Sequence, residues 1–75
     1  MISDAELNNR FSHHAPKAGQ PEKYHGVRTG CRQLAGLLVA LCPDSRELAT
    51  ALTHLDAVMF NANAAIARRS EGAAD

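Results

Sequence analysis

The sequence predicts an all-α protein: a short N-terminal helix followed by an antiparallel helical hairpin, assembled as a compact homo-oligomer. Three observations carry this. Two long stretches place apolar residues at alternating steps of three and four, the spacing that lines one face of an α-helix. Between them stands Cys42-Pro43-Asp44, a connection so short that the second helix must run back along the first. A lone hairpin of 75 residues leaves much of both apolar stripes wet, and a chain this small often needs disulfides, a metal or other copies to be stable.

The first helix is expected over residues 4–11. Ser3-Asp4-Ala5-Glu6 fits the S-x-x-E capping box, in which the Ser hydroxyl and the Glu side chain satisfy each other's orphan backbone N–H groups. Residues 12–20 have no periodicity and hold Pro16 and Gly19, so they read as a loop.

Pro21 suits the first turn of the second helix, expected over residues 21–42, with Glu22 near its positive end. Its stripe is Tyr24, Val27, Cys31, Leu34, Leu38 and Leu41, and Leu37 and Val39 widen it near the end. Gly26, Gly30 and Gly36 lie inside this helix, each costing ~1 kcal/mol relative to Ala. Such a smooth face admits either a loosely wound first half or the close approach of a backbone or ligand.

Pro43 stops the helix, and Asp44 is the expected cap of the third, with Glu47 reaching back to complete a capping box. The third helix is expected over residues 44–69, with its stripe at Leu48, Leu52, Leu55, Met59, Ala62 and Ile66. The tail 70–75 is expected to fray. Residues 1–75 thus form one small helical domain.

Eight basic and eight acidic residues cancel, which disfavours DNA or RNA as a partner, because polyanions are met by strongly basic domains. The cancellation hides a local excess. Residues 8–34 carry Arg10, Lys17, Lys23, Arg28 and Arg32 against Glu22 alone, enough for a small anion. Cys31 and Cys42 stand eleven positions apart in one helical pattern, roughly 16 Å at ~1.5 Å per residue, so they are expected as reduced, buried thiols. No apolar run approaches the ~18 residues of a membrane span, and Met1-Ile2-Ser3-Asp4 lacks the start of a signal peptide. The protein is expected to stay in the cytoplasm.

No metal, cofactor or catalytic set is expected. His13, His14 and His25 have no Cys or carboxylate at a matching ligand spacing. Ser12, Ser45 and Thr50 have capping or surface roles, and no Gly-rich turn presents any of them as a nucleophile. Phosphate binding has more support, from Lys17, Arg28, Arg32 and Arg68, although cations at a helix C-terminus also explain Arg68 and Arg69. Asn61 and Asn63 are mediocre helix formers beside an apolar stripe. An amide there either fixes the register of an oligomer or pairs with a base edge. Phe11, Tyr24 and His13 can stack on bases, although Phe11 and Tyr24 are more often core residues.

Together these pieces resemble a known family, the phage anti-CBASS protein 2 family of cyclic-oligonucleotide sponges. The resemblance runs over roughly residues 8–69, through Arg10-Phe11-Ser12-His13-His14-Ala15-Pro16-Lys17, Lys23-Tyr24 and Val27-Arg28. It continues through Leu41-Cys42-Pro43-Asp44-Ser45-Arg46-Glu47, Ala51-Leu52-Thr53 and Asn63-Ala64-Ala65-Ile66-Ala67-Arg68. It implies a hexamer in the cytoplasm of an infected bacterial host. That hexamer would sequester, uncleaved, the cyclic di- and trinucleotides that activate the antiviral effectors of the CBASS pathway.

By that resemblance, Phe11, His13, Lys17 and Arg28 belong to a cyclic dinucleotide pocket between protomers. Thr29, Asn63 and Arg68 belong to a cyclic trinucleotide site near a three-fold axis, hydroxyl and guanidinium on phosphate and amide on adenine. The resemblance implies an aromatic, often Tyr, where this chain has His13, whose imidazole stacks less surface. The competing expectation is a helical oligomerisation or adaptor protein that binds another protein.

Overall fold

The structure, a computed structural model, describes residues 2–69; the tail expected to fray, 70–75, lies outside them. Three helices follow one another: α1 (Asp4–Phe11), α2 (Gln20–Leu41) and α3 (Arg46–Arg69). No strand occurs among the described residues, and α2 and α3 pack together as the hairpin.

Ser3 caps α1, its hydroxyl accepting the Glu6 N–H at 3.1 Å. Glu6 points elsewhere: its carboxylate takes the guanidiniums of Arg10 and Arg69, each at 2.7 Å. Opposite charge outcompetes a neutral N–H for that carboxylate.

Gly19 precedes α2 at φ +84°, a left-handed turn that a Cβ would strain. The helix ends at Leu41, and the Cys42 N–H closes it on the Leu38 carbonyl at 2.9 Å. The third helix opens at Arg46, two residues later than expected, because Ser45 and not Asp44 is the cap. The Ser45 hydroxyl accepts the Leu48 N–H at 3.1 Å and donates to the Pro43 carbonyl at 2.9 Å. A hydroxyl can do both at once, whereas a carboxylate only accepts. With Ser45 as cap the third helical position is Leu48, so Glu47 has no capping box to complete.

The core is thin. Leu48, 9% exposed, is the one buried apolar residue among those described. The rest of the α3 stripe, Leu52, Leu55, Met59, Ala62 and Ile66, is half-buried against α2. On α2, Tyr24, Val27, Cys31 and Leu38 are half-buried, but Leu34 is exposed and Leu41 is 72% exposed. Phe60 at 64% and Phe11 at 84% face outward, so Phe11 is no core residue. Cys42 is exposed rather than buried, because the helix ends before it.

The radius of gyration, 15.5 Å, exceeds the ~11 Å of a compact chain this long. A two-layer hairpin buries one stripe and no more. A Cβ added at Gly26 or Gly30 would meet nothing within 4 Å, so no neighbour within the chain approaches that face. At Gly36 the neighbour is the Arg32 guanidinium, 3.1 Å away.

Candidate functional site

Polar chemistry gathers at the open end of the hairpin, opposite the Pro43 turn. There the last turn of α3, the first turn of α2, the loop 12–19 and the C-terminal end of α1 meet. The helix ends expose carbonyls that lack intrahelical partners, and long side chains from elsewhere in the chain satisfy several of them. Arg68 donates to the Arg10 carbonyl at 3.2 Å, and the His14 Nε2–H donates to the Asn9 carbonyl at 2.6 Å. Gln20 donates to the Ile66 carbonyl at 3.0 Å.

Glu6 sits at the centre of the α1–α3 contact. Arg69 grips both its oxygens at 2.7 Å, and Arg10 reaches it from one turn on. The hydrogen bonds from Arg69 and then Arg10 hold its carboxyl below the ordinary carboxylate range. Arg10, Arg68, Arg69 and Asn61 line a groove of about 370 Å³ floored by Ala64 and Ala65. Arg69, which a helix C-terminus alone would explain, is therefore an anchor for α1.

A second groove of about 370 Å³ runs between α2 and α3. Leu52, Leu55 and Met59 form its apolar wall, and Arg28, Arg32 and Asp56 stand at its polar rim. Arg28 is thus the dinucleotide candidate that faces an apolar trough.

The other candidates are distributed as follows. Phe11 and His13 are exposed at the end of α1 and in the loop after it. Lys17 is exposed in that loop, with its backbone N–H held by the Gln20 side chain at 2.8 Å. Thr29 lies next to Arg28 on α2, its hydroxyl 3.4 Å from His25 Nε2. Asn63 is half-buried, and its Oδ1 is shielded from solvent without a hydrogen-bond partner. Asn61 instead donates to the Ala57 carbonyl of its own helix at 2.7 Å, which accounts for its amide locally.

Asn63 and Arg68 stand five positions apart on α3, which turns them ~140° around the helix at 3.6 residues per turn. They do not share a face of one chain. Arg68 lines the groove beside α1, whereas Asn63 lines neither of the two grooves described above.

Sequence reasoning missed Gln20 and Glu6. Glu6 carried only a capping signal, and a Gln at a helix start carries none.

The fold defines a class, a helical hairpin with a short helix fastened to its open end by arginines. A family model fits the chain accordingly: the Acb2/Tad1 hairpin domain matches residues 3–67. The chain belongs to that family, the one its sequence resembles. No curated protein and no solved structure matches it.

Proposed function

We propose that this chain binds cyclic di- and trinucleotide second messengers between copies of itself and holds them uncleaved. Acting in the cytoplasm of an infected bacterium, it would keep them from CBASS effectors. Membership of the Acb2/Tad1 hairpin-domain family supports the anti-CBASS role. The observation that carries the reading is Asn63. A shielded amide oxygen left unpaired costs about 1–3 kcal/mol, an expense a helix seam could avoid with any small apolar residue. Rotation of the amide offers an acceptor and a donor side by side, the pair that recognises adenine N6 and N7.

Arg68 fits phosphate in the same site. Guanidinium has five N–H donors, and in the free chain one hydrogen bond ties it to the Arg10 carbonyl. Because Asn63 and Arg68 lie on different faces of α3, a ligand touching both would take them from different copies. A hexamer with sites around its axes meets that requirement. For dinucleotides, Arg28 at the rim of an apolar trough pairs charge with a surface on which a base can lie. His13, Phe11 and Lys17 would come from the loop region of a neighbouring copy, and Thr29 would add a hydroxyl to the trinucleotide site.

The test is to incubate the purified protein with 3′,3′-cyclic di-adenylate or cyclic triadenylate, remove free ligand, denature, and identify what is released. Intact ligand is the expected result. Linear products would make the protein an enzyme, and an empty complex would sink the reading. Arg28→Ala should weaken di-adenylate binding at least tenfold, and Arg68→Ala should do the same for triadenylate. Equal losses for both ligands in both variants would argue against two kinds of site.

The exposed Phe11, Leu41 and Phe60 also fit an adaptor that docks another protein. Native mass spectrometry distinguishes this reading, through an oligomer indifferent to every cyclic nucleotide.

A further inference from the structure

We propose that Gln20 is a positioning residue for dinucleotide binding, holding the loop that carries His13 and Lys17 against the last turn of α3. This rests on the sequestration reading above and adds to it a residue that touches no ligand.

Gln20 is 4% exposed and is the one buried polar residue among those described. Glutamine is seldom buried, because every amide atom taken from water must find a partner. Both ends of this amide have one. Oε1 accepts the Lys17 N–H at 2.8 Å, and Nε2 donates to the Ile66 carbonyl at 3.0 Å, 46 positions along the chain. The Gln20 backbone N–H also donates to the Lys17 carbonyl at 3.0 Å. Lys17 is thereby gripped through both its N–H and its C=O, in a ring closed by the left-handed Gly19.

The loop has no apolar anchor of its own. Ser12, His13, Ala15, Pro16, Lys17, Ala18 and Gly19 are all exposed, and half-buried His14 turns back to α1. Gln20 supplies a bond from this loop to the hairpin. If only burial were needed, Leu would fill the position without the demand for partners. The amide instead fixes the path of the segment that leads from His13 to Lys17. Ordering that segment before the ligand arrives removes a cost from binding and slows release. The trinucleotide candidates Thr29, Asn63 and Arg68 all sit on α2 and α3, outside the loop.

The experiment uses the full chain, with Gln20→Leu and Gln20→Glu beside the wild type. Leu keeps the bulk and loses both bonds; Glu keeps the acceptor for Lys17 and loses the donor to Ile66. Calorimetric titration should show di-adenylate affinity falling tenfold or more in each variant. Triadenylate affinity should stay within threefold, and the native mass should be unchanged. In the ligand-free protein, hydrogen exchange at the Lys17 amide should accelerate at least tenfold in Gln20→Leu while the mid-helix amides of α2 and α3 hold.

Equal loss of both ligands, or no loss of either, overturns the role. So does a failure of both variants to fold, which would make Gln20 a general structural residue. Wild-type protein that binds neither ligand overturns the sequestration reading and this role with it. Normal wild-type binding with indifferent variants overturns this role alone.

Discussion

Residues at the open end are held by side chains acting on backbone and by the Glu6 ion pairs, whereas the Asn63 amide oxygen has no partner. Its unpaired oxygen penalises the free chain, so a residue without that atom should stabilise it. Asn63→Leu is expected to raise the unfolding midpoint in urea and to lower triadenylate affinity at least tenfold. Stability and binding moving in opposite directions would separate a ligand contact from a packing residue, whereas a loss of both would assign Asn63 to the oligomer seam. The sequence singled out Asn63 because an amide beside an apolar stripe is locally out of place. Gln20 escaped notice for the opposite reason. A Gln in a first helical turn is unremarkable locally, and the bond that gives it meaning reaches a residue 46 positions away.

Among the elements, α2 and α3 were legible because helical periodicity is written in the residues that make the seam. The α3 stripe from Leu48 to Ile66 is buried or half-buried throughout, as its spacing requires. The start of α3 was less legible, since Asp44 and Ser45 are both capable caps and only the hydroxyl also reaches the Pro43 carbonyl. How α1 is fastened could not be read at all, because ion pairs between positions 6 and 69 leave no periodic trace. That fastening has a pH signature. The Glu6 carboxyl titrates below its ordinary 4.5 when folded, so its stabilising contribution is complete above that value and disappears as pH falls through the lowered folded-state value. Helicity followed by circular dichroism should therefore drop below about pH 4.5 in the wild type. Glu6→Gln should show less helix already at pH 7 and a smaller acid-induced loss. Identical acid profiles for the two proteins would remove Glu6 from the fastening of α1.

At the scale of the whole molecule, apolar surface outruns what one hairpin can cover. Leu34, Leu37, Val39 and Leu41 extend α2 outward, while Val58 and Phe60 do the same on α3. Patches of this kind are where soluble chains meet partners. We expect a native mass several times that of one chain, reduced by Leu41→Glu; a purely monomeric wild type would sink the proposed hexamer and its shared sites. The sequence disclosed the surplus through stripes wider than one partner needs. It could not disclose which copy covers which face, because symmetry leaves no mark in a single chain. The thin core around Leu48 then has a consequence for how such a protein is handled. In an assembly that keeps most of its apolar contacts between chains, dilution acts as a denaturant, and a melting temperature has meaning only beside the concentration at which it was taken. A ligand bound across the seams would counter dilution, so the assembly would hold its shape best when full.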